Sequence, residues 1–218
     1  MIAHRLSRFE YKSEATRVVA TCANAQSGFS LIEVLVAVVV LSFGLLGMVG
    51  VQAFAMQANR DSRQQAQAAS LARELSELMR NNSIVALQTT TSANPYLFDS
   101  STGAINEGCL GVANAAAGCA DTTSVARSEM MDWLLRVNQA LPGARIVVCF
   151  DRNPYDSAGL PRWGCDSSSA DVERTAIIKL GWTRNSLDRS KTGASVVERA
   201  DAQSSTPYII VPVTSGNS

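Results

Sequence analysis

One segment of the chain constrains its folding more than any other. The 18 residues 34–51 carry no ionisable side chain, and the apolar run extends to Met56 if Gln52 is included. With a rise of about 1.5 Å per residue, a helix of this length nearly matches the ~30 Å hydrocarbon core of a bilayer. The run therefore predicts a transmembrane helix over about residues 31–56. A buried core helix is the alternative interpretation.

The charges that flank this run predict its orientation. Basic residues precede the run, and none follows it until Arg60. Because basic flanks stay on the cytoplasmic side, we expect a cytoplasmic N-terminus and a C-terminal part that crosses the membrane. The alternative is a secretory signal peptide cleaved at its far end, but only a weak pattern of small residues, Ala53 and Ala55, follows the run. The preceding basic residues are Arg5, Arg8, Lys12 and Arg17.

A single carboxylate, Glu33, stands at the start of the run. A charged side chain in hydrocarbon is costly unless it lies near the interface or is paired. If the chain is cut between Gly28 and Phe29, the new ammonium of Phe29 stands four residues before Glu33. This i,i+4 spacing places the two groups on one helix face, and the same pair can form between neighbouring copies. The alternative is a glutamate that extends to the membrane surface.

The string GFSLIE at residues 28–33, followed by the apolar run, resembles the class III signal of type IV prepilins and pseudopilins. The resemblance implies that residues 1–28 are a leader, which a membrane aspartyl peptidase removes by cutting after Gly28. It also implies that the new N-terminal residue, Phe29, is N-methylated and that Glu33 is needed for assembly. A phenylalanine at the cut is typical of the type IVa subclass.

The helix is predicted to continue beyond the membrane. No proline occurs between residues 29 and 81, and beyond Met56 apolar residues recur at helical spacing, which indicates one buried face. The run Asn81-Asn82-Ser83 supplies a stop. We therefore expect one helix over residues 29–82 and a globular head over residues 83–218. The apolar stripe consists of Ala68, Leu71, Ala72, Leu75, Leu78 and Met79.

The head is predicted to contain one helix and several strands. Residues 83–124 are expected to form a long loop region, and residues 125–141 a helix that ends at Leu-Pro-Gly. The apolar face of this helix consists of Met130, Trp133, Leu134, Val137 and Leu141. Strands are predicted at residues 145–150, 174–183, 195–199 and 207–213.

The strand at residues 174–183 is the clearest of the four because its side chains alternate. Ala176, Ile178, Leu180 and Trp182 lie on one face, and Thr175, Lys179 and Thr183 lie on the other. Pro212 cannot donate to a ladder, which predicts an edge strand or a strand end. Three or four antiparallel strands would present one apolar face for the long helix to cover, so the fold class is α+β.

This arrangement is similar to that of pilins, in which a long N-terminal helix packs on an antiparallel sheet. The chain most resembles the PilV-type minor pilins, or type IV pilus modification proteins. The segments that carry this second resemblance are a Trp-x7-Leu-Pro-Gly helix end at residues 133–143, RIVVCFDRNP at 145–154, RWGCD at 162–166 and AIIKLGWT at 176–183.

The chain has five cysteines. Cys22 lies in the leader, and four remain in a segment expected outside the cytoplasm, so two disulfides are predicted. Four cysteines allow three connectivities. We expect the pairing of nearest neighbours, Cys109 with Cys119 and Cys149 with Cys165. A zinc site is the alternative, but no C-x2-C spacing and no histidine in the mature chain support it.

Few residues offer catalytic chemistry. The single histidine, His4, lies in the leader, so histidine-dependent hydrolysis and histidine–metal chemistry are excluded for the mature chain. No phosphate-binding or dinucleotide motif occurs. The spacing of the acidic residues in one loop fits no EF-hand, and we expect a solvated acidic loop. These residues are Asp151, Asp156, Asp166 and Asp171. The sequence therefore predicts neither an enzyme nor a metal or cofactor.

Charge also limits the choice of partner. Removing the leader leaves 15 basic and 17 acidic residues, a net charge of −2, with no basic stripe. A nucleic acid is therefore not an expected partner. The resemblance to prepilins implies other partners: membrane lipid, a prepilin peptidase and methyltransferase, an inner-membrane assembly platform, and other minor and major pilins.

The resemblance implies a structural role, that of a minor pilin of a type IVa pilus. Such a subunit starts in the inner membrane with a periplasmic head and then enters the surface fibre, where it affects assembly, twitching and adhesion. A minor pseudopilin of a type II secretion system is the first alternative. A membrane-anchored adhesin that never assembles is the second.

Overall fold

The computed structural model describes residues 28–105, 108–110, 118–166, 175–186, 188 and 190–213. The expected leader, except for Gly28, lies outside these residues. The chain divides into two units, Met1–Val51 and Gln52–Ser218.

The first unit is helical from Leu31 onward. Helix α1, Leu31–Asn81, has 51 residues and continues into the second unit. It begins two residues after the predicted start at residue 29 and ends one residue before the predicted end. All described residues of the first unit, from Gly28 to Val51, are exposed.

In the second unit, helix α1 buries one face. Its buried residues recur at helical spacing, as the apolar stripe predicts. They are Gln64, Ala68, Ala72, Leu75, Ser76 and Met79. A four-residue helix, α2 (Ser83–Ala86), follows α1 within the segment that we expected to be a loop.

Helix α3, Thr122–Ala140, begins three residues before the predicted start at residue 125. Asp121 caps this end, because its Oδ1 accepts hydrogen bonds from the backbone N and the Oγ of Ser124, both at 2.7 Å. Hydrogen bonds from Ser124 also lower the pKa of Asp121. The predicted apolar face of α3 is confirmed, because Met130, Trp133, Leu134 and Val137 are buried, and Leu141 follows as a buried C-cap.

Trp133 joins α3 to α1. Its side chain is fully buried, and its Nε1 donates to the backbone oxygen of Leu71 at 2.8 Å. A partly exposed ion pair between Arg136 and Glu74 lies beside it. Because a buried indole N–H needs an acceptor, this bond fixes the position of α3 along α1.

A four-stranded antiparallel sheet lies against this helical layer. Its strands are β1 (Phe98–Asp99), β2 (Arg145–Phe150), β3 (Ala176–Gly181) and β6 (Ile209–Val213), in the order β1-β2-β3-β6. The core combines α1 and α3 with alternate residues of the strands, such as Ile146, Ile178 and Leu180. The predicted α+β fold, with a long N-terminal helix packed on an antiparallel sheet, is confirmed.

Two strand predictions need correction. The fourth strand of the sheet is β1, which the sequence did not reveal because it has only two residues. Residues 195–199 do not join this sheet. Instead, β5 (Val197–Glu198) follows a 3-10 turn, Gly193–Val196, and pairs with β4 (Arg184–Asn185) in a separate two-stranded sheet. The prediction from Pro212 is confirmed, because β6 is an edge strand.

The sheet face opposite the helices carries a buried ion pair. Lys179 in β3 and Asp151 after β2 have fully buried side chains, with 2.5 Å between Nζ and Oδ2. Lys179 Nζ also donates to the backbone oxygen of Gly164 at 2.6 Å. Asp151 Oδ1 accepts from the backbone amides of Asn153 and Asp166, at 3.0 and 3.1 Å. The expectation of a solvated acidic loop is therefore wrong for Asp151, because this loop folds back over the sheet.

We expect Lys179→Met to lower the free energy of unfolding by about 3–5 kcal/mol, because it leaves the Asp151 carboxylate buried without a counter-charge. Chemical denaturation of the full chain, followed by tryptophan fluorescence, measures this loss. Lys191→Met is the matched control, because the side chain of Lys191 is 38% exposed in its ion pair with Glu198.

The double variant Lys179→Met/Asp151→Asn separates charge burial from packing. Asparagine keeps an oxygen for the two backbone amides but carries no charge. The double variant should therefore be more stable than Lys179→Met alone. Equal or lower stability would contradict the role assigned to the buried charge.

Candidate functional site

The predicted cleavage site lies immediately before helix α1. Gly28, Phe29 and Ser30 precede the helix, and the carbonyl oxygen of Ser30 accepts the first helical bonds from the amides of Glu33 and Val34, at 3.0 and 3.3 Å. Gly28 is exposed, and among the described residues no heavy atom outside its chain neighbours lies within 4 Å of a Cβ added there; Phe29 is 83% exposed. The Gly28–Phe29 peptide is therefore in non-helical, accessible backbone, which is what a peptidase requires.

Glu33 lies in the first turn of α1. The amides of a first turn have no partner within the helix and carry a partial positive charge, which favours a carboxylate at this position. Glu33 is exposed, so the described part of the chain does not enclose its charge. An ammonium at Phe29 would stand four residues before this carboxylate. The predicted common helix face needs correction, because α1 begins at Leu31 and Phe29 precedes it.

Past Glu33, α1 presents large apolar side chains on all sides. Those between Leu31 and Val51 are 46–86% exposed. A helix that is apolar all round is stable only where it is removed from water, in a membrane or against other apolar surfaces. By length and composition, α1 is able to cross a membrane.

One polar side chain within this segment is satisfied by the helix itself. The Oγ of Ser42 donates to the backbone oxygen of Val38 at 2.7 Å. A hydroxyl with this local bond can enter hydrocarbon without an unsatisfied donor. Glu33 is therefore preceded by accessible backbone at residues 28–30 and followed, from Val34 to Val51, by a surface suited to lipid.

The remaining predicted site residues lie in the second unit. The structure has disulfides between Cys109 and Cys119 and between Cys149 and Cys165, which is the nearest-neighbour pairing expected from the sequence. The second disulfide closes the loop that also contains Asp151. A long loop closed in this way loses less conformational entropy on folding.

The described acidic residues of this loop have separate partners. Asp151 is buried against Lys179, and Asp156 is exposed and caps a turn by accepting from the amides of Ala158 and Leu160. The side chain of Asp166 accepts from Asn153 Nδ2 at 3.0 Å. Asp171 lies outside the described residues. Within the described part of the chain, no group of three or more His, Cys, Asp and Glu residues is arranged to hold a metal ion.

Comparison with known proteins identifies the N-terminal segment. Residues 23–49 match the family model for the prokaryotic N-terminal methylation motif. These 27 residues include Gly28, Phe29, Glu33 and most of the apolar run, but they are a small part of the 218-residue chain. No curated protein and no solved structure matches the chain. The match supports the prepilin superfamily and, together with the apolar helix, membrane anchoring.

Membrane anchoring by α1 predicts the effect of a charge at its centre. Val40→Arg should cost about 2.5–3.5 kcal/mol of insertion free energy and strongly reduce the fraction of protein that resists extraction by alkaline carbonate. Gln65→Arg, at an exposed position of the same helix in the second unit, should leave this fraction unchanged. Full carbonate resistance of Val40→Arg would contradict membrane insertion of this segment.

Proposed function

We propose that the chain is a minor pilin of a type IVa pilus, a structural subunit that helps to initiate or modify pilus assembly and thereby affects twitching motility and adhesion. One observation carries the proposal: a carboxylate, Glu33, lies in the first turn of an exposed apolar helix, a few residues after an accessible Gly28–Phe29 peptide. The methylation-motif match over residues 23–49 supports it. The PilV-type resemblance of the head favours a minor subunit.

The first step in this function is processing. A prepilin peptidase cuts between Gly28 and Phe29 on the cytoplasmic side, and the new amine of Phe29 is methylated. This places a positive charge beside Glu33 at the start of the hydrocarbon-spanning segment. The basic residues of the leader hold the N-terminus in the cytoplasm, so that the head, with its two disulfides, is periplasmic.

The second step is entry into a filament. In the membrane, Glu33 has no buried partner within its own described chain, and a lone carboxylate there is costly. The amine of Phe29 in a neighbouring subunit neutralises it, while the apolar surfaces of the two helices pack against each other. The charge pair sets the axial position of one helix relative to the next. The contact between the apolar side chains supplies the buried surface area.

Glu33→Gln tests this step, because it leaves the Phe29 ammonium without a counter-charge in hydrocarbon. We expect the amount of the subunit recovered in sheared fibres, relative to the membrane pool, to fall by about tenfold or more, since about 1.4 kcal/mol changes an equilibrium tenfold.

The matched control is Glu77→Gln in the same helix. Glu77 is an exposed partner of Arg80, and its loss should leave incorporation unchanged. Normal incorporation of Glu33→Gln would remove the assembly role. It would favour the second alternative, a membrane-anchored adhesin that never assembles.

A minor pseudopilin of a type II secretion system remains the competing function, since it shares the signal and the apolar helix. A deletion strain separates the two. We expect loss or shortening of surface pili and of twitching, with normal secretion of exoproteins. Retained pili with blocked secretion would assign the chain to the secretion system.

A further inference from the structure

A cleft lies at one end of the four-stranded sheet, within the second unit. The end of β1, the start of β2, the end of β3 and the start of β6 meet there, as the strand register shows. Two loops form its walls: the disulfide-closed loop after β2 and the segment 201–206 before β6. The cleft has a volume of about 710 Å³, within the range of roughly 300–1,000 Å³ typical of small-molecule sites.

Most residues that line this cleft are polar, and apolar atoms supply more than half of its exposed surface. Its charged residues are two arginines, Arg145 and Arg162, and two aspartates, Asp156 and Asp201, so that their charges cancel. One indole, from Trp163, is the aromatic surface. The neutral polar residues are Ser100, Ser101, Gln203, Ser204, Ser205 and Thr206.

We propose that this cleft binds a neutral oligosaccharide. The guanidinium groups only donate hydrogen bonds, the carboxylates only accept them, and the serine and threonine hydroxyls do both. A ligand that satisfies such a mixed set must itself donate and accept at many points, which sugar hydroxyls do. The exposed apolar atoms of the lining suit the C–H groups of pyranose rings.

The charge balance argues against other ligand classes. Nucleic acids and polyanions require an excess of positive charge, whereas the two aspartates offset the two arginines here. An apolar ligand would remove the four charged side chains of the lining from water without replacing their hydrogen bonds, which is costly.

The walls of the cleft are fixed by interactions between its own lining residues and with the neighbouring sheet. Trp163 Nε1 donates to Ser205 Oγ at 3.1 Å, which joins the two loops, and the Arg145 guanidinium lies 4.4 Å from the Trp163 ring centre. The indole also packs against Gly181, where an added Cβ would lie only 2.9 Å from it. The buried Lys179 holds the next residue, Gly164, by its backbone oxygen. A site that is rigid before binding loses less entropy on binding.

This inference does not rest on the proposed assembly role, because the cleft belongs to the head and its occupancy is measured without fibres. Saturation-transfer difference NMR on the full chain in phospholipid nanodiscs, which contain no sugar detergent, detects weak binding. The probes are maltotriose, cellotriose and triacetylchitotriose, with trigalacturonic acid as the acidic comparator and empty nanodiscs as background.

We expect saturation transfer to at least one neutral trisaccharide and less to the acidic one. In the double variant Asp201→Ala/Gln203→Ala the transfer should fall by about fivefold or more, because two hydrogen-bonding side chains are removed from the cleft. The matched control is Asp132→Ala/Gln139→Ala, at exposed positions of α3, which should keep the signal.

Three results would overturn the proposal. They are no transfer to any of the neutral trisaccharides, an unchanged signal in Asp201→Ala/Gln203→Ala, and stronger transfer to trigalacturonic acid. The circular dichroism spectrum and thermal midpoint of both double variants verify that the head remains folded. Because these variants keep Glu33, their assembly into fibres should be normal whatever the outcome of the binding test.

Discussion

A helix that is apolar on every side cannot remain in water, and this constraint governs the N-terminal part of the molecule. From Leu31 to Val51 the large side chains of α1 are 46–86% exposed. Glu33 interrupts this surface at its first turn. A lipid environment accommodates the apolar side chains but penalises the carboxylate, so the same environment that stabilises the helix creates a need for a counter-charge. Processing at Gly28–Phe29 would supply that charge four residues before Glu33.

In the second unit, the C-terminal part of α1 has a different role, because it packs against the head. There α1 buries one stripe, and Trp133 of α3 donates to its backbone at Leu71. The sheet covers the helical layer on one face and is itself covered on the other by the loop between Cys149 and Cys165. The ion pair of Lys179 and Asp151 holds that loop in place. The result is a head with fixed loops at one end of the sheet, including the walls of the polar cleft.

The long-range patterns of the sequence predicted most of this fold. Helical periodicity predicted α1 and the apolar face of α3, and alternation predicted the core face of β3, because both patterns report burial directly. The start of α3 was missed by three residues although Asp121 is a favourable cap. The strand β1 was missed because two residues carry no periodicity.

The candidate sites differ in how far the sequence reveals them. Gly28, Phe29 and Glu33 are close in the chain, so their spacing alone is informative. The burial of Lys179 was not predicted, because an alternating strand places it on the polar face and only the fold of a distant loop covers that face. The cleft was also not predicted, because its two walls lie about 40 residues apart in the chain and are joined in the fold by the Trp163–Ser205 bond.

The central claim is that Phe29 becomes a charged chain terminus beside Glu33. Mass spectrometry of the N-terminal peptide, on protein purified from membranes and from fibres, tests it most directly. We predict a peptide that begins at Phe29 and carries a methyl group on its amine. A chain in assembled fibres that still carries residues 1–28 would contradict the account, because the carboxylate of Glu33 would then have no ammonium at Phe29 to pair with.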